Sequence, residues 1–397
     1  MYSISFVFAN VLSAVAVPGG SVLGLSIPDL TFRKSRRSLE TFPLTLGNSG
    51  QLHAEALLEL YDPSLSIYSS SPFEEAAGAN VLVDGDGAVG DPASLGVFAV
   101  LLGGSNESYA DGAKRTMEYL INGAPRWANG AISHRVAVAE LWADFLYMAP
   151  PFLAYYAVST WNLSLLMQAV EQYRLYREVV QLGQTLNKTL PYSDPQYGIW
   201  RHIIGPQKPD PGLWSTGNAW AVAGMARSLA TVIKAPRSLF YMDCGYHCSS
   251  SHPKADAIDS LTSYIKEILD GALSSPLDNG LLRNYLNVTL ESGHGYGEVS
   301  GSTLRASVIY RMVILRPDVF LYGEDGSRYL EWAEDRRHTI SLGGHITANG
   351  TATPAVNPLN WFDTVPYTAG SPEGNNFVVL MYTAWRDCVW EGICSLY

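Results

Sequence analysis

Asp144 lies among Trp142, Phe145, Leu146 and Met148 in the stretch AISHRVAVAELWADFLYM that begins at Ala131. A carboxyl group held among aromatic and aliphatic side chains has its charged form disfavoured. Its proton affinity is therefore expected to rise toward the range where one group can both give and take a proton. The same position, just ahead of a long apolar run, also suits an Asp that only caps a helix by accepting backbone N–H bonds. Alone, the stretch favours the cap. Comparable groups stand at other loop-to-helix junctions: Asp91 in DGDGAVGDP, His134 ahead of Asp144, Trp200, Arg201 and His202 in GIWRHIIGP, and Trp214, Thr216, Asn218 and Trp220 in LWSTGNAWAVAGM. Taken singly, Asp91 reads as a cap, the histidines as satisfied polar groups and the tryptophans as core.

The elements that must position these groups follow from hydrophobic periodicity. Apolar residues at helical spacing predict helices over Leu52–Tyr61, Ala93–Leu102, Tyr109–Ile121, Phe152–Val158, Asn162–Leu186, Trp220–Ile233, Asp256–Leu273, Thr303–Leu315, Ser327–Ile340 and Asn375–Trp385. Pro150 and Pro151 predict a bent or late-starting helix after Asp144, because an interior proline loses a hydrogen bond and clashes with the preceding turn. Period-two alternation is scarce, so the chain reads as all-α. Connections between helices in a simple bundle run about 2–8 residues, whereas here long Gly-rich loops carry Trp, His and Asp. A toroid of paired helices with those loops gathered at one mouth accommodates both features. The helical rhythm shows no break, which predicts a single domain over residues 18–397.

Residues 1–17 read as a secretory signal peptide, with an apolar run from Ile4 to Val17 and the small-residue pattern Ala14-Val15-Ala16, although no Lys or Arg precedes the run. The run is too short to span a bilayer. Sequons at Asn106, Asn162, Asn187, Asn287 and Asn349 are then candidate N-glycan sites, and the expected location is secreted and extracellular. The cysteines form two close pairs, Cys244 with Cys248 and Cys388 with Cys394, for which local bridges are preferred among the three connectivities that four cysteines permit. His247 and His252 near the first pair leave a metal site as a minor alternative. The basic run ending at Arg36-Arg37 is either an exposed turn or a processing site. A net charge of −11 argues against nucleic acid or an anionic membrane as partner. The 23 Tyr and 10 Trp suit carbohydrate, whose apolar faces stack on rings, or simply an aromatic core. With no P-loop, dinucleotide fingerprint or HExxH, no cofactor or metal is implied.

Taken in order, DPASLG at Asp91, GAISHR ending at Arg135, LWADFLYM around Asp144, GIWRH before Ile203 and WSTGNAWAVAGM from Trp214 resemble glycoside hydrolase families 88 and 105, the unsaturated glucuronyl and rhamnogalacturonyl hydrolases. EVSGSTLRASVIYRM from Glu298 and SPEGNNFVVLMYTAWRD from Ser371 resemble the later segments of those families. The resemblance implies an (α/α)6 barrel and an oligosaccharide substrate ending in an unsaturated uronic acid. The implied reaction hydrates the C4=C5 double bond that a polysaccharide lyase leaves behind. Asp144 would be the general acid and base and Asp91 would hold sugar hydroxyls or assist the proton transfer, while His134, His202, Trp214 and Trp220 would line the sugar pocket. One departure concerns Thr216, where the resemblance leads one to expect an Arg on the substrate carboxylate. Threonine offers no charge and no bidentate fork. Either Arg135 or Arg201 takes that role, or the sugar differs. A conventional glycosidase on saturated uronides or neutral sugars, and a sugar-binding member without catalysis, stand as alternatives.

Overall fold

The computed structural model describes residues 55–56, 58–60, 66–68, 87–104, 107–182, 194, 196–241, 252–289, 293–357 and 360–395. Expectations for residues 1–17, the Arg36-Arg37 site, Asn106, Asn187 and the Cys244/Cys248 pair lie outside the described residues.

Burial sorts the helices into two kinds. α1 (Gly90–Ser94) and α2 (Gly96–Gly103) open the described ring, followed by α3 (Glu107–Asn122), α4 (Phe145–Ser159) and α5 (Leu163–Val180). Then come α6 (Ser215–Lys234), α7 (Pro253–Leu273), α8 (Val299–Leu315), the short α9 (Pro317–Phe320), α10 (Gly326–Leu342) and α11 (Pro372–Trp390). In α4, α6, α8 and α11 nearly every residue is buried, as expected of helices walled in on all sides. In α3 only Tyr109, Gly112, Ala113 and Leu120 are buried, one stripe of an otherwise solvated helix. α5, α7 and α10 are likewise one-sided.

Packing follows that division. α1 and α2 lie on α4, α4 on α6, α6 on α8 and α8 on α11, which forms an inner ring; α3, α5, α7 and α10 each lie outside their hairpin partner. This is the helical-hairpin toroid that the long loops predicted. Glu55 and Glu59, in helical residues 55–56 and 58–60, tie the inner ring together. Glu55 accepts from Arg227 of α6 at 2.9 Å and from the Tyr147 hydroxyl of α4, and Glu59 accepts from Arg311 of α8 at 2.8 Å and Thr383 of α11 at 3.2 Å. Charges this deep need partners, and the pairing fixes which helices meet.

The helix after Asp144 does not wait for Phe152, contrary to the expectation from its prolines. α4 starts at Phe145 and carries Pro150 and Pro151 in its interior. Pro150 has no N–H for the Leu146 carbonyl, but the Tyr173 hydroxyl of α5 lies 3.2 Å from that oxygen. Gly224 of α6 packs so close that a Cβ there would stand 2.0 Å from the same oxygen. The neighbouring helix α5 thus satisfies what Pro150 leaves open, and α6 packs directly on the same turn. Other inner helices also start earlier than their apolar pattern, because their first turns are polar and capped. The Glu298 carboxylate accepts from Ser300 N and Gly301 N at the start of α8, and Ser371 Oγ accepts from Gly374 N at the start of α11. The predicted Asn162–Leu186 helix ends at Val180. Cys388 and Cys394 form the expected local disulfide at the end of α11.

Candidate active site

The N-termini of the inner helices gather at one end of the ring. Gly90, at the start of α1, leaves no room for a Cβ against His134 Nδ1 (2.8 Å) and Met148 Sδ (2.6 Å) of α4. Gly301 of α8 is equally close to Ser215 of α6, and Gly374 of α11 faces Val299 of α8. The charge of Asp144 acts on Glu373 in the first turn of α11. Helix N-termini carry partial positive charge, so this mouth favours an anionic ligand.

Asp144 immediately precedes α4, yet its side chain makes no capping hydrogen bond. The carboxylate faces a histidine instead. Oδ2 lies 3.0 Å from His202 Nε2, while Oδ1 is buried with no hydrogen-bond partner among the described residues. A short antiparallel ladder makes this meeting possible: β1 (Leu141–Trp142) pairs with β2 (Ile203–Ile204), and Ala143 N donates to His202 O at 2.9 Å. The chain then turns back, with Ile203 and Asp210 exchanging backbone hydrogen bonds, so that Asp210 comes beneath the imidazole.

Behind His202 the polar chain continues. Nδ1 lies 2.8 Å from Asp210 Oδ2, which also accepts from the Tyr285 hydroxyl at 2.7 Å, and Asp210 Oδ1 accepts from Gly212 N at 3.0 Å. Burial pulls the His202 pKa down, but the charges and hydrogen bonds of Asp144 and Asp210 outweigh it and the net shift is upward. Burial likewise pushes the Asp210 carboxyl up, and the His202, Tyr285 and Gly212 contacts more than reverse it. His202 is thus held between two carboxyl groups, one within hydrogen-bond distance of each ring nitrogen, and its charged form is favoured. His134 is the opposite case: burial lowers its pKa to about 3, the Asp144 charge opposes this, and Arg135 and His202 add to it. The two histidines of the pocket are therefore shifted in opposite directions.

Aromatic rings wall the site. Trp142, Trp214 and Trp361 lie 5.7, 4.3 and 5.1 Å from the His202 ring, and His134 lies 4.7 Å from Trp142. Trp142 and Trp214 are anchored by their indole nitrogens, and Trp361 by its backbone carbonyl. Trp142 Nε1 donates to Glu140 Oε1 at 2.7 Å, Trp214 Nε1 donates to Asn284 Oδ1 at 2.8 Å, and Asn284 Nδ2 donates to Trp361 O at 3.3 Å.

The sequence-predicted residues divide accordingly. Asp144, His134, His202 and Trp214 come together, and Asp91 sits at the same end on the first turn of α1. Trp220 does not join them. It is core, packed between Tyr147 at 4.6 Å and Phe377 at 4.8 Å, because six residues along α6 carry it about 9 Å down the axis and to another face. Thr216 is buried with its hydroxyl 3.4 Å from Glu298 Oε1. Below it Arg305 Nη1 donates to Ser215 Oγ at 3.0 Å, and Nε and Nη2 of this fully buried guanidinium have no partner among the described residues. Arg135 lies over the Trp142 ring, its Cζ 4.8 Å from the centroid. Arg201 N donates to Val180 O whereas His202 N donates to Gly212 O, an alternation that sends the two side chains to opposite sides.

Sequence reasoning missed Asp210, Tyr285, Trp361, Glu140 and Glu373. Asp210 had a signal, since PDPG is turn chemistry that returns the chain close to where it left. Trp361, in a polar loop distant from the motifs, had none.

Residues 101–243 match the family model described as Glycosyl Hydrolase Family 88. No curated protein matches the chain. Among solved structures, a possible member of the GH105 family from Klebsiella pneumoniae is similar with a TM-score of 0.63 at 16% identity, covering 94% of this chain and 96% of that one. A family 105 glycoside hydrolase from C. acetobutylicum has a TM-score of 0.63 at 16% identity, with 91% and 99% covered. The unsaturated glucuronyl hydrolase of Bacillus sp. GL1, described as responsible for the degradation of glycosaminoglycan, has a TM-score of 0.51 at 13% identity, with 87% and 80% covered. At such identities the likeness speaks for the fold, the (α/α)6 toroid. Fold and family match together define a glycoside hydrolase, in agreement with the resemblance to families 88 and 105 carried by the ordered motifs.

Proposed function

We propose that the protein hydrates the C4=C5 double bond of a terminal unsaturated uronic acid in lyase-generated, pectin-derived oligosaccharides, with Asp144 carrying the proton. The observation that supports this most is the Asp144 carboxylate itself. One oxygen is engaged by His202, the other is buried without a donor among the described residues, and tryptophans surround the pair. In this reading the protonated carboxyl gives its proton to C4, and the double-bond electrons form the new C–H bond. Positive charge then develops at C5 and the ring oxygen. Water attacks C5 and returns a proton to the Asp144 carboxylate, so water has been added and the catalyst restored. The product is a hemiketal, which opens and releases the neighbouring sugar.

The remaining residues support each stage. The His202 imidazolium stabilises the carboxylate that Asp144 becomes between the two proton transfers, and Asp210 with Tyr285 holds the imidazole in place. Asp91 assists from the first turn of α1, neutral His134 contributes hydrogen bonding, and Trp214 with Trp142 packs on the sugar. Arg135, over Trp142 and without a carboxylate partner among the described residues, takes the substrate carboxylate that Thr216 cannot bind. Uncharged Thr216 also favours a second reading, a conventional glycosidase on neutral sugars. Secretion is part of the proposal: the sequons at Asn162, Asn287 and Asn349 are exposed, and the Cys388–Cys394 bridge suits an oxidising compartment.

The test is the ultraviolet absorbance of the double bond in lyase-generated unsaturated rhamnogalacturonan disaccharide. The absorbance should fall on incubation at mildly acid pH, and Asp144→Asn should abolish the fall with circular dichroism unchanged. Stable absorbance together with turnover of a saturated aryl glycoside would establish the second reading instead.

A further inference from the structure

A buried carboxylate behind the aromatic wall has a role that the reaction does not use. Glu140 is fully buried and every contact it makes is structural. Oε1 holds the Trp142 indole, and Oε2 accepts the backbone N–H groups of Gln207 at 2.7 Å and Lys208 at 2.8 Å. The loop can approach only because residue 205 is glycine: a Cβ there would lie 2.3 Å from Glu140 Cγ. One carboxylate thus ties the floor of the pocket to the loop at its rim. The loop presents Lys208, whose Nζ stands 5.2 Å from the Trp361 ring centroid. Lys208 is exposed, and it has no carboxylate partner among the described residues.

The order of groups gives Lys208 its place. Asp144 and His202 are buried, Trp361 packs on His202 at 5.1 Å, and Lys208 lies on Trp361 from the solvent side. A sugar whose reacting carbons are at Asp144 directs its neighbour outward, toward that rim. We propose that Lys208, positioned by Glu140, is a specificity determinant that recognises an anionic group, carboxylate or sulfate, on the sugar that leaves, so that lyase products with an acidic leaving sugar turn over faster than rhamnogalacturonan disaccharide, whose leaving rhamnose is neutral. The proposal rests on the hydrolase reading above for which sugar leaves. An ammonium over an indole face is partly desolvated on one side and open to an anion on the other, which favours an acidic over a neutral neighbour.

The experiment compares three unsaturated disaccharides, whose leaving sugar is a uronate, a sulfated sugar or a neutral sugar, with the unmodified protein, Lys208→Gln and Lys208→Arg. At low salt the ratio of kcat/KM for an anionic over the neutral substrate should drop about two- to fivefold in Lys208→Gln, the range of an exposed ion pair. Lys208→Arg should keep the ratio, and raising salt to about 0.5 M should erase the difference. The uronate and sulfate arms show which anion is preferred. A ratio that Lys208→Gln leaves unmoved, or that falls equally in Lys208→Arg, overturns the proposal. Affinities for the same disaccharides, read from tryptophan fluorescence, give the ratio without turnover. Loss of the hydrolase reading, seen as stable absorbance in the unmodified protein, is therefore distinguishable from failure of Lys208 to discriminate.

Discussion

Asp210→Asn tests the claim that a charged His202 supports Asp144. The replacement keeps the size of the side chain and removes its charge, and His202 can answer by shifting to the tautomer in which Nδ1 accepts from the new amide. Geometry is thereby preserved while the imidazole loses one of the two carboxyl groups that favour its charged form. The bond removed is buried and charge-assisted, at 2.8 Å, and such bonds contribute about 1.5–3 kcal/mol. One pH unit corresponds to about 1.4 kcal/mol, so the His202 titration should move down by roughly one to two pH units. If the imidazolium stabilises Asp144 between its two proton transfers, kcat should fall about 10- to 100-fold with KM little changed. The sign for stability follows from the raised pKa of His202. Its contribution is fully present below the unfolded value near 6.5 and is lost as pH rises through the folded value. Asp210→Asn should therefore lower stability most in mildly acid solution and least where His202 is already neutral. The assays are NMR titration of the ring nitrogens, kcat against pH from the absorbance decay, and thermal melts across the same range. An unmoved imidazole titration with unchanged kcat would refute the reasoning. Lost thermal stability without either effect would reduce Asp210 to a purely structural residue.

Two further outcomes separate site from core. Thr216→Arg, which installs the residue expected from the resemblance, should destabilise the protein by about 3–5 kcal/mol, because Arg305 already occupies the Glu298 neighbourhood and a second buried guanidinium finds no partner; an undiminished melting temperature would contradict this. Trp214→Phe should raise KM by loss of the Asn284-anchored wall beside His202, whereas Trp220→Phe should lower the melting temperature with KM unmoved, its cost about 1–3 kcal/mol from lost packing. Equal effects of the two on KM would contradict the placement of Trp220 in the core.

Legibility in the sequence followed the range of the interactions. The helices of the outer layer carry one apolar stripe each, so α3 and α7 were readable to within a few residues. The inner helices were harder, since their first turns are polar: the Glu298 and Ser371 caps fall before the apolar pattern begins, and α4 runs through two prolines that local rules read as a boundary. Asp144 was visible as a carboxyl in an apolar setting, but whether it capped a helix or faced a histidine was a question of where its side chain turns, and only the ladder between Leu141–Trp142 and Ile203–Ile204 answers it. Trp220 shows the converse error, in which a residue in the right motif lies on the wrong face of its helix.

The sequence by itself determined the helical-hairpin rhythm, the junctions where chemistry collects and the identity of the central carboxylate, because periodicity, breakers and residue types are local properties of the chain. Only the tertiary structure decided that His202 lies between Asp144 and Asp210, that Trp361 closes the wall, and that Glu140 holds the Lys208 loop. Those groups come from segments far apart in sequence, and their meeting depends on ring closure and on glycines that allow backbones to touch, which no local pattern records.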